Sequence, residues 1–525
     1  MEKKRVCVVG AGVSGLAVCK HLVEKGFQPV VFEACTAVGG QWTRTPASTR
    51  LQTSRNGYRF TDFPWSESVK DEFPDSKQVV EYLESYARRF CLHRYVRFNR
   101  KVVAAEYVGV KEEEIKVWDL WSGSGDAFAG GRGEWHVTVE TSERPGSTEV
   151  HATDFLVLCI GRFSGLPAIP TFPTNKGPEV FEGKAIHSMD YADMGSFAAA
   201  QLVKGKRVTI VGFLKSALDI AAECANINGP ENPCTMLVRT NKWNVPSLAA
   251  WGVPLQYLFF NRFSELLFHK PEEGIVLSVL ATFLAPLAWL ISKFTDSYFK
   301  KVMPLQKYGV APEHSFFNAL AFCALSLLPE NFYDRVEEGS IVLKPSKAFE
   351  FGKNGVRIDG EASVVESDVV IFATGYQSDQ KLRDIFLSQW FKDIVAGSEN
   401  TTVPLYRHCI HPQIPQMAVI GYCESASNIH TYEMGAKWLA CFLDGGFRLP
   451  SKRRMEKSVM EWDSHSKKYS GKNFRRSCLA YLHNWYIDQL CNDMGYNPRL
   501  KKGFLAYLFL PHSPADYADL ESKGK

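Results

Sequence analysis

The chain has 525 residues, with 61 basic and 57 acidic side chains and a net charge of +4. Hydrophobic residues make up 45% and charged ones 22%, a globular composition that excludes a mainly disordered chain. The near-balanced charge gives no footprint for nucleic acid, and 13 cysteines without a CxxC pair exclude a small disulfide scaffold.

At about 150 residues per domain the length corresponds to about three domain-sized units. In chain order, the first apolar run is Val6–Val9. It is too short for a secretory core and breaks at once into glycines, so it predicts a buried strand rather than a leader. Further buried strands are expected at Val30–Glu33, Phe155–Ile160, Arg207–Val211, Thr235–Val238 and Val369–Ala373. Helical patterns follow at Leu16–Lys25 and Ser216–Asn226. This alternation predicts an α/β, doubly wound architecture. Linkers are expected at Ser122–Gly133 and Gly165–Pro178, and a basic helix entry at Lys452–Lys457. Cys7, Cys159 and Cys423 lie within apolar runs and read as buried, unpaired thiols, as in a reducing, cytoplasmic setting.

The run Gly274–Ser292 holds 19 residues without a charge, just long enough to span a bilayer. Pro286 interrupts it, and Ser278, Thr282 and Ser292 dilute it. The preferred expectation is a buried helix pair covering a channel, with membrane contact at most peripheral.

Two nucleotide sites are expected. Gly10-Ala11-Gly12-Val13-Ser14-Gly15 lies directly between a strand and a helix. There Gly10 permits the tight turn, Gly12 a close approach of pyrophosphate, and Gly15 close packing of helix on strand. Val13 and Ser14 open the helix whose free N–H groups face the phosphates. Glu33, at the end of the next strand, suits ribose hydroxyls. The following Gly39-Gly40-Gln41-Trp42 completes a Glu-x5-Gly-Gly-x-Trp spacing that resembles the extended FAD fingerprint. The second site begins at Gly212, after the strand Lys206–Val211, and includes Lys215 and Ser216. Leu214 and Ala217 replace its second and third glycines, and Leu214 adds bulk where a phosphate should pass. The strand after it ends in Arg239-Thr240-Asn241-Lys242, a basic cluster suited to the 2′-phosphate of NADPH.

Phe181-Glu182-Gly183-Lys184-Ala185-Ile186-His187-Ser188-Met189-Asp190-Tyr191 reads FxGxxxHxxxY, and Phe372-Ala373-Thr374-Gly375-Tyr376 reads FATGY. With the fingerprint in front of them, these motifs resemble the flavin-containing monooxygenase family, and the remaining chain resembles its plant clade with pipecolate N-hydroxylating members. The resemblance implies two Rossmann-like dinucleotide-binding domains, the NADP domain inserted into a discontinuous FAD domain. The expected bounds are 1–195 and 331–525 for FAD and 196–330 for NADP. Thr374 and Gly375 are implied cofactor contacts, and the cofactors are FAD and NADPH. The implied reaction reduces FAD with NADPH, captures dioxygen as a flavin hydroperoxide and transfers one oxygen to a soft nucleophile. Its partners are then a small-molecule substrate and dioxygen, with a homodimer conceivable.

In many relatives an Asn upstream of Asp-Phe-Pro supports the reactive oxygen. Counting ten residues back from Asp62-Phe63-Pro64 places Gln52 there, with Ser54 and Asn56 as alternatives. His187 reads as ordering the domain linker rather than carrying protons, and Asp219 as a capping or packing residue. The expected channel wall is Trp243–Phe260 with Ser425–Glu433. A Baeyer–Villiger oxygenase is the nearest rival, although Tyr191-Ala192 stands where its motif closes with Trp-Pro. A flavoprotein that binds FAD without oxygenating is the rival from another class.

Overall fold

The computed structural model describes residues 4–520 except 129, 131, 142–145 and 361–362, and omits the side chain of residue 472. Ten strands build two parallel sheets. In chain order they are β1 (Val6–Val9), β2 (Val30–Phe32), β3 (Val96–Arg97), β4 (Phe155–Leu158), β5 (Lys184–His187), β6 (Val208–Val211), β7 (Cys234–Val238), β8 (Ile341–Pro345), β9 (Val369–Phe372) and β10 (Met417–Val419). The first sheet has the order β10-β4-β1-β2-β3 and the second β8-β7-β6-β9-β5. All neighbouring strands within both run parallel. The short apolar runs form strands because both faces are covered; β1, β4, β6 and β9 are buried at every residue.

The helices that matter for the site are α1 (Val13–Glu24), α2 (Lys215–Asn228), α3 (Arg262–Leu266), α4 (Ile275–Val302), α5 (Phe316–Ala321), α6 (Asn428–Leu443) and α7 (Phe504–Phe509). α1 and α2 each leave a strand through a glycine turn. α6 comes from the far end of the chain and packs on α1. The basic entry at Lys452 opens a helix to Ser470. Each parallel sheet is accompanied by a three-stranded antiparallel one, built from Arg100–Val108, Glu134–Thr141 and Thr148–Thr153, and from Phe349–Gly352, Gly355–Ile358 and Val364–Glu366.

The first sheet is completed by β10, so that domain is discontinuous. The second sheet extends beyond 196–330 on both sides, because β5, β8 and β9 belong to it. Register explains why: Val369–Phe372 pairs with Val208–Val211 on one side and with Lys184–His187 on the other.

Two expectations are corrected. Gly274–Ser292 is not half of a buried helix pair: α4 runs through Pro286 without a break, and only 11% of its most apolar 18-residue stretch is buried. The cysteines are not all unpaired, since Cys323 and Cys478 are joined across 155 residues of sequence. Cys7, Cys159 and Cys423 are buried and free, and burial pushes the Cys7 and Cys423 thiols up to about 12.

Candidate active site

At the first site, Gly12 is the N-cap of α1 and offers no side chain, so the helix start is left without a side-chain cap. Its backbone faces Gly40. A Cβ on Gly12 would lie 3.4 Å from the Gly40 Cα, and one on Gly40 only 2.9 Å from the Gly12 Cα. The two backbones therefore meet as a bare surface, on which a methyl at Gly40 would clash and one at Gly12 would fill the remaining gap; this fits the approach of a dinucleotide pyrophosphate to uncapped N–H groups. Gly10 and Gly15 shape the same turn, and Val13 and Ser14 begin its helix. The Glu33 carboxylate is nearly enclosed. It accepts the Ala11 N–H at 2.6 Å and the Cys35 N–H at 2.9 Å, bracing the turn while keeping further lone pairs for ribose hydroxyls.

Gly40, Gln41 and Trp42 form a 3-10 turn. Trp42 Nε1 donates to the Tyr58 hydroxyl at 2.9 Å, which fixes the indole beside the segment 51–58.

One cavity of about 1640 Å³ runs past the second site. It is lined by Gln41, Trp42, Gln52, Ser54, Asn56, Gly212, Leu214, Lys215, Ser216, Arg239, Thr240, Thr374 and Gly375. Eleven of the expected site residues, with Asn56 beside them, are thus brought to one space. Gly10, Gly12, Val13, Ser14, Gly15, Glu33 and Gly40 stand apart from it at the first turn.

At the second turn Gly212 is essential for close approach, because a Cβ there would lie 2.5 Å from the Ala373 carbonyl oxygen. Ala217, at the third position, is buried against it. Leu214 is the N-cap of α2, extended, and supplies no side-chain cap, so the N–H groups of that helix start are also left without a side-chain partner. Lys215 does not point freely at a phosphate. Its Nζ donates to the buried Asp219 carboxylate at 2.7 Å.

The basic end is larger than the cluster after β7 suggests. Arg239, Thr240 and Lys242 share the cavity wall with Ser346, Lys347 and Arg475. Burial first, and then the charges of Arg475 and Arg239, hold the Lys242 ammonium below the usual lysine range. Such crowded cations suit a dianionic phosphate. Lys347 and Arg475 arrive from the loop after β8 and from the C-terminal part of the chain, so no local motif marks them.

Gln52 has a defined orientation. Its Oε1 accepts the Leu327 N–H at 3.0 Å, so the amide NH2 is the end left to donate. Thr53 Oγ1 donates to the Ala426 carbonyl at 2.9 Å, and Ser427 Oγ donates to the Gly57 carbonyl at 2.6 Å. These bonds lock 52–57 against the start of α6.

The far wall consists of Leu248, Leu255, Phe259 and Phe260 with Ser425–Asn428 and His483. Trp243, expected there, is instead fully buried, with Nε1 donating to the His314 carbonyl at 3.0 Å. No residue of α4 lines the cavity, so that helix is not a channel wall. Glu424, next to this wall, is held by Arg162 at 3.2 Å and Arg475 at 2.9 Å.

His187 Nδ1 accepts the Met189 N–H at 3.1 Å, and its ring meets Tyr376 edge-on with centroids 5.4 Å apart. Burial holds its pKa below the usual range. It orders the junction between β5 and the FATGY turn. In that turn Thr374 Oγ1 donates to the Ala168 carbonyl at 2.5 Å, and the Gly375 carbonyl accepts the Ala168 N–H at 2.9 Å.

Known proteins resemble this chain in sequence and in fold. A family model described as flavin-binding monooxygenase-like matches residues 3–510. The "Probable flavin-containing monooxygenase 1" of Arabidopsis thaliana is 38% identical over 521 residues, covering 98% of this chain and 96% of its own. The "Putative flavin-containing monooxygenase 2" of the same plant is 36% identical, covering 94% and 98%. Among solved structures, OTEMO in complex with FAD and NADP shares the fold with a TM-score of 0.65 at 19% identity, covering 94% of this chain and 99% of that one.

Proposed function

Since the chain belongs to the flavin-containing monooxygenase family and is an FAD-, NADPH- and oxygen-dependent monooxygenase, we propose that it oxygenates an uncharged nitrogen or sulfur atom of a small molecule. The observation that carries this reading is the single cavity joining the Gly212–Arg239 end, the Gln52 amide and an apolar wall. The cofactors supply the two-electron reduction of dioxygen. The protein's task is to bind, orient and keep water out.

The turns at Gly12 and Gly40 would hold the pyrophosphate of FAD, and Glu33 its ribose. Gly212, Ser216 and the helix start of α2 would hold that of NADPH, with Arg239, Thr240 and Lys242 around the 2′-phosphate. Lys215, paired with Asp219, sets the charge at that helix start rather than bonding alone. The NH2 of Gln52, aimed by Leu327, would donate to the oxygen that reacts, with Ser54 in support. The wall of Leu255, Phe259 and Phe260 offers apolar surface, and the acid beside it is already neutralised by two arginines. A neutral amine, amino acid, thioether or alkaloid nitrogen, with its lone pair free, suits this wall better than a cation.

The deciding experiment is NADPH oxidation by the FAD-loaded protein with a panel of such compounds, reading product mass for one added oxygen. Peroxide as the sole product with every compound would overturn the proposal. A lactone from a ketone panel would favour the Baeyer–Villiger reading instead. Tyr191-Ala192 argues against that reading, because it stands where that motif closes with Trp-Pro; the Tyr191 hydroxyl donates instead to Glu223 of α2 at 2.9 Å. No NADPH-dependent bleaching of the flavin would favour a non-oxygenating flavoprotein.

A further inference from the structure

α4 is the one described helix long and apolar enough to cross a membrane. Core helices of that composition are buried, and this one is not. Its outward stripe repeats at helical spacing through Ile275, Val276, Val279, Phe283, Pro286 and Leu290, and Ile275 and Phe283 are each 84% exposed. Four turns of apolar side chains on the water side have no function in the fold and cost stability in water.

A second apolar segment belongs to the same surface. α7 rests on α3, with the Phe509 and Phe263 rings 5.2 Å apart, and α3 in turn packs on α4. On α7 Phe504 and Leu505 stand out into solvent.

Charge distinguishes what covers this face. Beyond Leu290 the exposed stripe of α4 becomes basic with Lys293 and Lys300, and Lys502 precedes α7. The acids nearest the apolar end are already paired: Glu272 with Arg407 at 3.1 Å, and Glu273 with His269 at 2.7 Å. The face is therefore apolar with a cationic border, complementary to an anionic lipid surface.

The helix is also tied at its far end. Ser292, Thr295, Asp296 and Phe299 are buried, the Asp296 carboxylate accepts the Phe316 N–H at 2.8 Å, and Ser297 accepts from Trp251 Nε1 at 3.1 Å. Threading α4 across a bilayer would break these contacts, whereas laying its first four turns into the interface breaks none.

We propose that the first four turns of α4, together with α7, dock this protein in the plane of an anionic lipid bilayer. The layer Leu248–Phe260 then separates lipid from cavity, since it lines the cavity and its hairpin at Ala249–Pro254 packs on α4.

The test is sedimentation of the full-length FAD-loaded protein with vesicles of phosphatidylcholine alone, or with about a quarter phosphatidylserine. Binding is expected to both, stronger with phosphatidylserine and weakened by salt. V279E/F283E should lower vesicle binding by about tenfold or more with NADPH oxidation in solution unchanged. K293E/K300E, which leaves the apolar stripe intact, should remove only the phosphatidylserine preference. Failure of the wild-type protein to sediment with either vesicle overturns the proposal. So does a wild-type dimer in lipid-free solution that V279E/F283E converts to monomer, which would make a second copy the occupant.

Discussion

Thr49 Oγ1 donates a 2.7 Å hydrogen bond to the carboxylate of Asp219, across 170 residues of sequence and between the two nucleotide-binding domains. Both groups are buried, and the same carboxylate receives Lys215 Nζ at 2.7 Å. Burial raises the Asp219 pKa, and Lys215 and Thr49 oppose that rise. Asp219 is thus neither a helix cap nor inert packing; it holds the start of α2 in place against the first domain. Asp219→Asn keeps the shape but removes the charge opposite Lys215. It should cost about 3 kcal/mol of stability, as for a buried pair broken on one side, and raise the KM for NADPH while FAD stays bound. Thr49→Val, which leaves the ion pair intact, should show the smaller KM effect. Thermal unfolding and NADPH titration check both.

Gly12→Ala places a methyl where the Gly12 and Gly40 backbones meet. The purified protein should be colourless, with circular dichroism like that of the parent. Retained yellow colour would show that the flavin lies elsewhere.

Arg239→Ala should reduce the preference for NADPH over NADH by about tenfold or more, since a charge-assisted phosphate bond is worth about 1.5–3 kcal/mol. Arg475→Ala should act in the same direction if the C-terminal arginine belongs to the phosphate end, although it also releases Glu424. Flavin content should not change in Arg239→Ala.

Gln52→Leu removes the donor that Leu327 orients. NADPH consumption should continue while peroxide replaces oxygenated product, and Gln52→Asn should restore part of the coupling. Equal coupling in the leucine variant and the parent would remove Gln52 from the reaction.

Buried imidazoles set the response to acid. His411 Nδ1 accepts the Gln413 N–H at 3.1 Å and its Nε2 donates to the Ile394 carbonyl at 3.2 Å, so the neutral ring is fully satisfied. Burial pushes its pKa down to about 4, and likewise that of His408. The unfolded chain binds these protons first, so stability falls as pH drops from the ordinary histidine value of 6.5 towards 4. At pH 5 each such ring should cost about 2 kcal/mol relative to pH 7. His411→Gln should flatten the fall of the unfolding temperature between pH 7 and 5.

Much of this architecture was legible because it is local. A strand, a glycine turn and a helix lie within one short stretch, so β1–α1 and β6–α2 could be read directly, and Gln52 was located by counting from Asp62. What escaped depends on distant parts of the chain. Nothing beside Val369–Phe372 announces that it pairs with both β6 and β5, or that Arg475 and Lys347 enter the cavity next to Arg239. The partner of Cys323 is equally remote. The reading of α4 failed for a different reason: apolar composition reports what a side chain prefers, while exposure depends on whether another element arrives to cover it. Pro286 lies on the exposed side of α4, and the helix continues through it.

The placement of β10 at the edge of the first sheet, beside β4, has a consequence for synthesis. Translation releases β1 to β4 early, yet their outer neighbour emerges only at Met417–Val419, after every strand of the second sheet has been made. The inserted domain can therefore close its sheet while the surrounding one still carries an open edge, a template for pairing with other chains. Ribosomal pausing or truncation before residue 417 would leave an aggregation-prone nascent chain, whereas loss of the residues after 500 would spare the sheet.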